Sequence, residues 1–391
     1  MKPRFPVGRA EKRQALLRAV EGVRDVLAAR AAEAEELRTL PPASVTALRD
    51  SGLFLLKLPA VLGGAEADPV TQLDVIEAVT YIDPAAGWCL FIGAAGVGMS
   101  GAFLPDTAIA QMFSGDRVPT LAGALMPGTA VSVSGGYRVT GRWSWGSGIR
   151  HAEWLSAQAV VNRAGGGPRE VIACVFPAAR AEIHDNWHVV GMKGTGSCDF
   201  SVSDLFVPEE FTYNLARSGP RRGGPLYRLG WPGFVTNEHA AFALGVGRRA
   251  LDAIIELAQS KRRGYGKQVP LAERAVFQRA VGEGDLRLRA ARALVVEVLE
   301  KAWTTVCEGR QPEPRLQAEM RSAAALVTDV ALEIATSAFR YGAGTAVFLS
   351  HILQRCLRDL YVAATHLMVS DSSYENYGQF LLGLPGADPM G

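Results

Sequence analysis

The reading of this chain turns on Trp143-Ser-Trp-Gly-Ser-Gly-Ile-Arg-His-Ala-Glu-Trp154. Ahead of it, Val131-Ser-Val-Ser134, a Gly135-Gly136 pair and Tyr137-Arg-Val-Thr140 alternate apolar and polar residues. Two alternating runs joined by Gly-Gly predict a β-hairpin, because glycine accepts the positive φ angles of a two-residue turn. The second strand then carries two tryptophans into Gly146-Ser147-Gly148. Glycines there allow close approach to the backbone, and a hydroxyl sits between them. Indole rings, one hydroxyl and bare amides suit one face of a flat heteroaromatic ligand. The same residues also read as a decorated hairpin.

Outward from this stretch the strand signal continues. Residues 118–125, 154–161, 171–176, 181–183 and 200–207 read as strands separated by Gly, Pro or Asn, and the helical period is absent throughout. This predicts a small central β-sandwich or barrel. Before it the chain reads as helices: 8–38 with Leu16, Val20, Val23 and Leu27 on one stripe, then 44–52, then helices opened by Asp68-Pro69 and by Asp83-Pro84. After it, Leu244, Leu251, Ile254 and Ala258 mark a long helix, and three more follow, around Leu286 to Val306, Leu316 to Ile334 and Leu353 to Leu367. Four amphipathic helices in succession predict a four-helix bundle. The expected organisation is mainly α with a central β-domain: a helical domain at 1–114, a β-domain at 115–219 and a bundle at 220–391, with the Gly/Pro-rich link at 218–225.

At 391 residues and a net charge of +2, the chain has ample core and no electrostatic pull toward nucleic acid or a membrane surface. Five scattered cysteines make no CxxC pair, and the N-terminus lacks an apolar signal core, so a cytoplasmic protein is expected. The uncharged segment 84–105 is rich in glycine and lacks close basic flanks, which reads as a buried helix rather than a span. No GxGxxG stands between a strand and a helix, and no phosphate-cradling P-loop or GxSxG elbow occurs. The six histidines lack metal-ligand spacing, so no metal is expected.

Helices, a β-domain and a helical bundle in this order resemble the acyl-CoA dehydrogenase fold over nearly the whole chain. Ser51-Gly-Leu-Phe54, Pro59 and Gly63-Gly64 look like its N-terminal signature. Three pieces resemble its flavin-dependent monooxygenase branch more closely: the 143–154 stretch, the run Trp187-His-Val-Val-Gly-Met-Lys-Gly-Thr-Gly-Ser197, and Leu353-Gln-Arg-Cys-Leu-Arg-Asp359 with His366 seven residues on. The glutamate base of the dehydrogenases has no counterpart among Asp359, Asp371, Glu375 and Asp388.

The resemblance implies the oxygenase component of a two-component monooxygenase. Reduced FMN or FAD comes from a separate NAD(P)H-dependent flavin reductase, and O2 is the co-substrate. A C4a-hydroperoxide then oxygenates a small aromatic, heteroaromatic or amine compound. It also implies residue roles. Ser147 serves catalysis beside the flavin, Trp145 and Gly148 flank the ring, and Thr195, Gly196 and Ser197 line its other side. Arg263 reaches the flavin phosphates, with Arg262 or Lys261 as substitutes. Gly344, with Gly342, brings backbone near the cofactor of a partner subunit. Trp88 walls the substrate pocket and His366 is the catalytic histidine there. On a continuous helix, Arg355, Asp359, Val362 and His366 share one face, and an unperturbed imidazole suits proton exchange at neutral pH. A homotetramer, a dimer of dimers, is expected, with Ala323–Ala325, Ala335 and Ala363-Ala364 as faces for contacts between subunits. Two other readings stay open: a dehydrogenase or oxidase of the same fold, and a catalytically silent flavin- or ligand-binding homologue.

Overall fold

The computed structural model describes residues 5–114, 118–162, 170–216, 218–264 and 266–390. The expected domain start at 115 lies outside the described residues. In chain order the helices are α1 (Arg9–Leu37), α2 (Pro42–Asp50), α3 (Pro69–Ile82), α4 (Pro84–Phe103), α5 (Asp106–Met112), α6 (Gly230–Ser260), α7 (Ala275–Cys307), α8 (Pro314–Ala346), α9 (Ile352–Ala363) and α10 (Ser372–Leu381). The strands are β1 (Leu121–Val133), β2 (Gly136–Gly146), β3 (Trp154–Asn162), β4 (Glu170–Pro177), β5 (Glu182–Ile183), β6 (Cys198–Pro208), β7 (Thr212–Tyr213), β8 (Arg262–Arg263) and β9 (Val269–Pro270). They form two compact units, one of residues 1–67, 88–189 and 193–227, the other of residues 68–87, 190–192 and 228–391.

The first unit holds one seven-stranded sheet, ordered β5-β6-β2-β1-β3-β4-β7. Only β1 and β3 run parallel; the other neighbours are antiparallel. β4 also contacts β6, and the region is one mixed sheet where a small sandwich or barrel was expected. The Gly135-Gly136 hairpin joins β1 to β2, with Val133 opposite Gly136. Pro127-Gly128 does not end a strand as the sequence pattern suggests. It produces a bulge between Ala124 and Gly128 inside a single long β1, the kind of irregularity that admits proline. From Trp88 onward α4 lies in this unit. Its glycines form a packing face: a Cβ on Gly93 would sit 2.9 Å from the Phe54 ring, and one on Gly101 2.5 Å from Leu58. That explains a long apolar helix made of small residues.

In the second unit α6 and α8 form the central pair, with α3, α7 and α9 packed around them. Asp68 caps α3 by accepting from the Thr71 amide at 3.0 Å, ahead of Pro69, as its sequence signature requires. Gly245 lets α6 cross α3 closely, since a Cβ there would lie 2.7 Å from the Glu77 carbonyl. Arg292 of α7 ties to Asp74 and, at 2.9 Å, to Glu77 on α3. Arg355 of α9 makes a buried ion pair with Asp83 at 2.7 Å and stands 3.6 Å from Asp359. Asp359 accepts from the Met192 amide, and Gly191 lies so close to α9 that a Cβ would be 2.2 Å from the Arg358 carbonyl. Residues 190–192, from the middle of the first motif, are therefore packed against the helix that carries the second.

Two expectations fail here. The fourth long helix, α9, has only 12 residues and ends at Ala363, where the Ala364 amide caps onto Leu360 and Val362. His366 is thus off the helix and does not share a face with Asp359 and Arg355. The small-residue faces offered for contacts between subunits are mostly covered within the chain: Ala323, Ala324, Ala325, Ala335 and Ala363 are buried, and Ala364 is half-buried. They allow α8 to approach its neighbours.

Candidate active site

Trp143 and Trp145 are two apart in β2, and regular pleating would point both to one face. Trp143 is fully buried, stacked on Phe200 with ring centroids 5.3 Å apart, its Nε1 donating to the Gln158 carbonyl at 2.9 Å. Trp145 is 67% exposed. The register shift between Trp143 and Gly146, with Trp145 held at φ +66°, turns the second ring outward. A left-handed backbone is unfavourable for a tryptophan and persists where surroundings over-determine it, commonly at functional sites.

Just past the bulge lies a buried set of hydroxyls. Trp88 Nε1 donates to Ser147 Oγ at 3.0 Å. Ser147 Oγ is 2.7 Å from Ser197 Oγ, which is 2.6 Å from Thr195 Oγ1. The Gly148 amide donates to the Thr195 carbonyl at 2.8 Å, joining the two loops, and Cys89 Sγ also reaches that carbonyl. Gly148 and Gly196 take φ of +75° and +56°, which glycine alone adopts at low cost. An indole N–H can only donate, so its hydrogen lies on Ser147 Oγ. When Thr195 donates to Ser197 and Ser197 to Ser147, the Ser147 proton is left for a ligand atom. Beneath the loop, burial and the neighbouring Arg49 hold His151 at about 4; a Cβ on Gly148 would lie 2.9 Å from its Nε2.

In the second unit His366 caps the short turn Leu367–Val369, its Nδ1 accepting from the Met368 amide at 3.2 Å. The neutral ring therefore carries its proton on Nε2. Burial lowers its pKa to about 4, so it is uncharged at neutral pH rather than poised near the ordinary value that the sequence suggested. Its ring lies against that of His239 from α6, with centroids 4.3 Å apart and planes tilted by 30°. Buried Arg321 of α8 donates to the Leu367 carbonyl at 2.8 Å and fixes the following turn.

At the end of α6 the basic residues have distinct partners. Arg263 Nη2 donates to the Arg340 carbonyl at 3.1 Å, Lys261 Nζ to Thr345 Oγ1 at 2.6 Å and Arg262 to the Gln268 carbonyl at 3.0 Å. Gly342 and Gly344 flank a kink at Ala343, φ +45° and ψ −139°. Gly342 is buried, whereas Gly344 is exposed with open space around it. The structure thus brings Arg263, Lys261 and the Gly344 segment together.

The first unit gathers Trp88, Trp145, Ser147, Gly148, Thr195, Gly196 and Ser197, and the second gathers His366 with His239. The loop carrying exposed Trp145 and the donor set at Ser147 matches the chemistry of a heteroaromatic ring edge bearing hydrogen-bonding atoms. Sequence reasoning did not single out His239, Arg321 or the burial of His151. The one available signal was the polar run Thr236-Asn-Glu-His239 inside the otherwise apolar stretch 232–247 of α6, all of it buried.

Family models describing the acyl-CoA dehydrogenase N-terminal and C-terminal domains match residues 10–103 and 238–371. The chain is 31% identical over 372 residues to an indole-3-acetate monooxygenase of Pseudomonas putida, covering 94% of each chain. It is 27% identical over 390 residues to the flavin-dependent monooxygenase oxygenase subunit HsaA of Mycobacterium tuberculosis (strain CDC 1551 / Oshkosh), covering 96% of this chain and 98% of that one. The solved structure of XiaF from Streptomyces sp., in complex with FADH2 and glycerol, matches with a TM-score of 0.89 at 27% identity, covering 98% of both chains.

Proposed function

The chain belongs to the flavin-dependent monooxygenases of the acyl-CoA dehydrogenase family, and from that premise we propose that it is the oxygenase component of a two-component system acting on a small aromatic or heteroaromatic compound. The observation that carries this reading is the hydroxyl set ending at Ser147 beside the outward, strained Trp145. Reduced FMN or FAD, delivered by a separate flavin reductase, supplies the electrons that activate O2. Trp145, Gly148, Thr195, Gly196 and Ser197 bind the flavin ring, and Ser147 Oγ holds a proton toward its reacting edge. Trp88 orients that hydroxyl through its indole N–H. Arg263, Lys261 and Gly344 take the phosphate end, as basic side chains beside exposed backbone. His366, neutral at working pH, meets the substrate's polar group at Nε2.

The indole-based substrate in the name of one relative supports an aromatic ring as the substrate class. The oxygenase-subunit name of another supports the separate reductase. The cytoplasm, with its supply of reduced nicotinamide for that reductase, is the fitting compartment. A homotetramer built as a dimer of dimers belongs to the same reading; exposed Val347, Phe348 and Leu349, just past the α8 kink, support self-association. The test mixes the protein anaerobically with reduced FMN or FAD and an aromatic panel, then admits oxygen. The reading expects hydroxylated product approaching one per flavin oxidised, with little hydrogen peroxide. Release of all oxygen as hydrogen peroxide with every compound would contradict it.

A further inference from the structure

His366 is held at one ring nitrogen by the Met368 amide and along its backbone by Arg321 at Leu367. The second side-chain torsion of histidine joins a tetrahedral to a planar carbon and is broad, so rotamer preference alone leaves the plane of the ring open. What covers the face of the ring is His239, 6% exposed, 4.3 Å away and tilted by 30°. It projects from the most continuously buried part of α6, residues 232–247. Burying an imidazole there costs more than burying Leu or Phe of similar bulk.

Resting on the role of His366 set out above, we infer that His239 is a positioning residue whose aromatic face sets the plane of the His366 ring and supports that ring when it shares the substrate's proton. An edge contact at Nδ1 and a face contact together leave Nε2 pointing one way. A face contact orients the ring without itself adding a charge beside it. An aromatic face also attracts any positive charge that develops on the imidazole.

The test separates face from bulk. His239→Leu fills the space without an aromatic face, and His239→Phe keeps the face. His239→Gln, polar and ringless, stands in if the leucine variant does not fold. The first readout needs no flavin. In deuterated protein labelled with 15N-histidine, the His366 ring nitrogens, assigned by their loss in His366→Ala, should show two well-separated shifts at neutral pH, as for one fixed tautomer. They should stay separated in His239→Phe and move toward a common average in His239→Leu or His239→Gln. The second readout is product formation with reduced flavin. The ringless variants should be slower by about tenfold with unchanged substrate affinity, and His239→Phe should stay within about twofold of the parent. Unchanged nitrogen shifts and rate in the ringless variants would overturn the inference. So would a phenylalanine variant as impaired as the leucine one. Normal product formation by His366→Ala would instead remove the role of His366 itself, and the nitrogen shifts would still decide whether His239 sets its ring.

Discussion

Replacing Trp88 with phenylalanine tests the Ser147 site at its least obvious member. The change keeps an aromatic ring against Phe91, whose centroid is 4.8 Å away, and removes the indole N–H that reaches Ser147 Oγ at 3.0 Å. Ser147 is 6% exposed, so water does not readily replace the lost donor. Its hydroxyl is then free to turn its proton back toward Ser197 and away from a ligand. Leaving a buried polar group without a partner costs roughly 1–3 kcal/mol. If that energy is spent on holding the Ser147 proton outward, its loss corresponds to a roughly 5- to 150-fold faster uncoupled reoxidation of reduced flavin by oxygen with no substrate present. Stopped-flow absorbance, with hydrogen peroxide titrated at the end, reads that rate. The smaller ring also leaves a gap, so the single variant alone does not assign the cause. A cycle with Ser147→Ala does. If Trp88 acts through Ser147, the double variant should be no faster than Ser147→Ala. Rates that multiply, or a Trp88→Phe rate within twofold of the parent, would refute the reasoning.

His366→Ala should slow product formation by roughly 10²–10⁴-fold, the range for a lost proton-handling group, while oxygen still oxidises the flavin and appears as hydrogen peroxide; product and peroxide yields check this. Burial holds His151 and His366 at about 4 against an ordinary 6.5. Between these values the unfolded chain takes protons that the folded chain refuses. Stability should therefore be complete above pH 6.5 and fall as the pH drops toward 4. The slope is at most about 1.4 kcal/mol per pH unit for each histidine, reduced by the partial exposure of both. Urea unfolding at pH 7, 6 and 5 measures it, and His151→Phe should flatten it. Asp83→Ala removes the nearer of the two carboxylates beside the buried Arg355 and should cost up to about 3–5 kcal/mol of stability, read as a fall in denaturation midpoint; a loss below about 1 kcal/mol would show that the pair does not anchor α9.

Much of the fold was legible because it rests on local rules. Asp68-Pro69 and Asp83-Pro84 start helices where capping and proline geometry require, and Gly135-Gly136 turns the hairpin that leads to Ser147. What was not legible depends on contacts across the chain. Alternation places Trp143 and Trp145 on one face; a bulge against β6 separates them. Helical spacing carries α9 through His366, yet the helix ends at Ala363 and the next turn is held by Arg321 from α8. The alanine faces of α8 looked unpartnered because the sequence does not show which helices already cover them. Ser147, Thr195 and Ser197 were grouped through resemblance, while the indole hydrogen bond of Trp88 to Ser147 and the stacking of His239 on His366 have no local signature. Long-range side-chain geometry decides both.

The central claim is that this chain passes one oxygen atom from O2 to a small aromatic compound at the expense of reduced flavin. It is tested most directly with 18O2. Chemically reduced FMN or FAD, the protein and a panel of indolic and phenolic compounds are mixed under labelled oxygen, and the products are weighed by mass spectrometry. The account predicts a product that gains a single 18O, in an amount matching the flavin oxidised less the hydrogen peroxide released. A product carrying only solvent oxygen, or no oxygenated product together with flavin reduction by an acyl thioester, would contradict it.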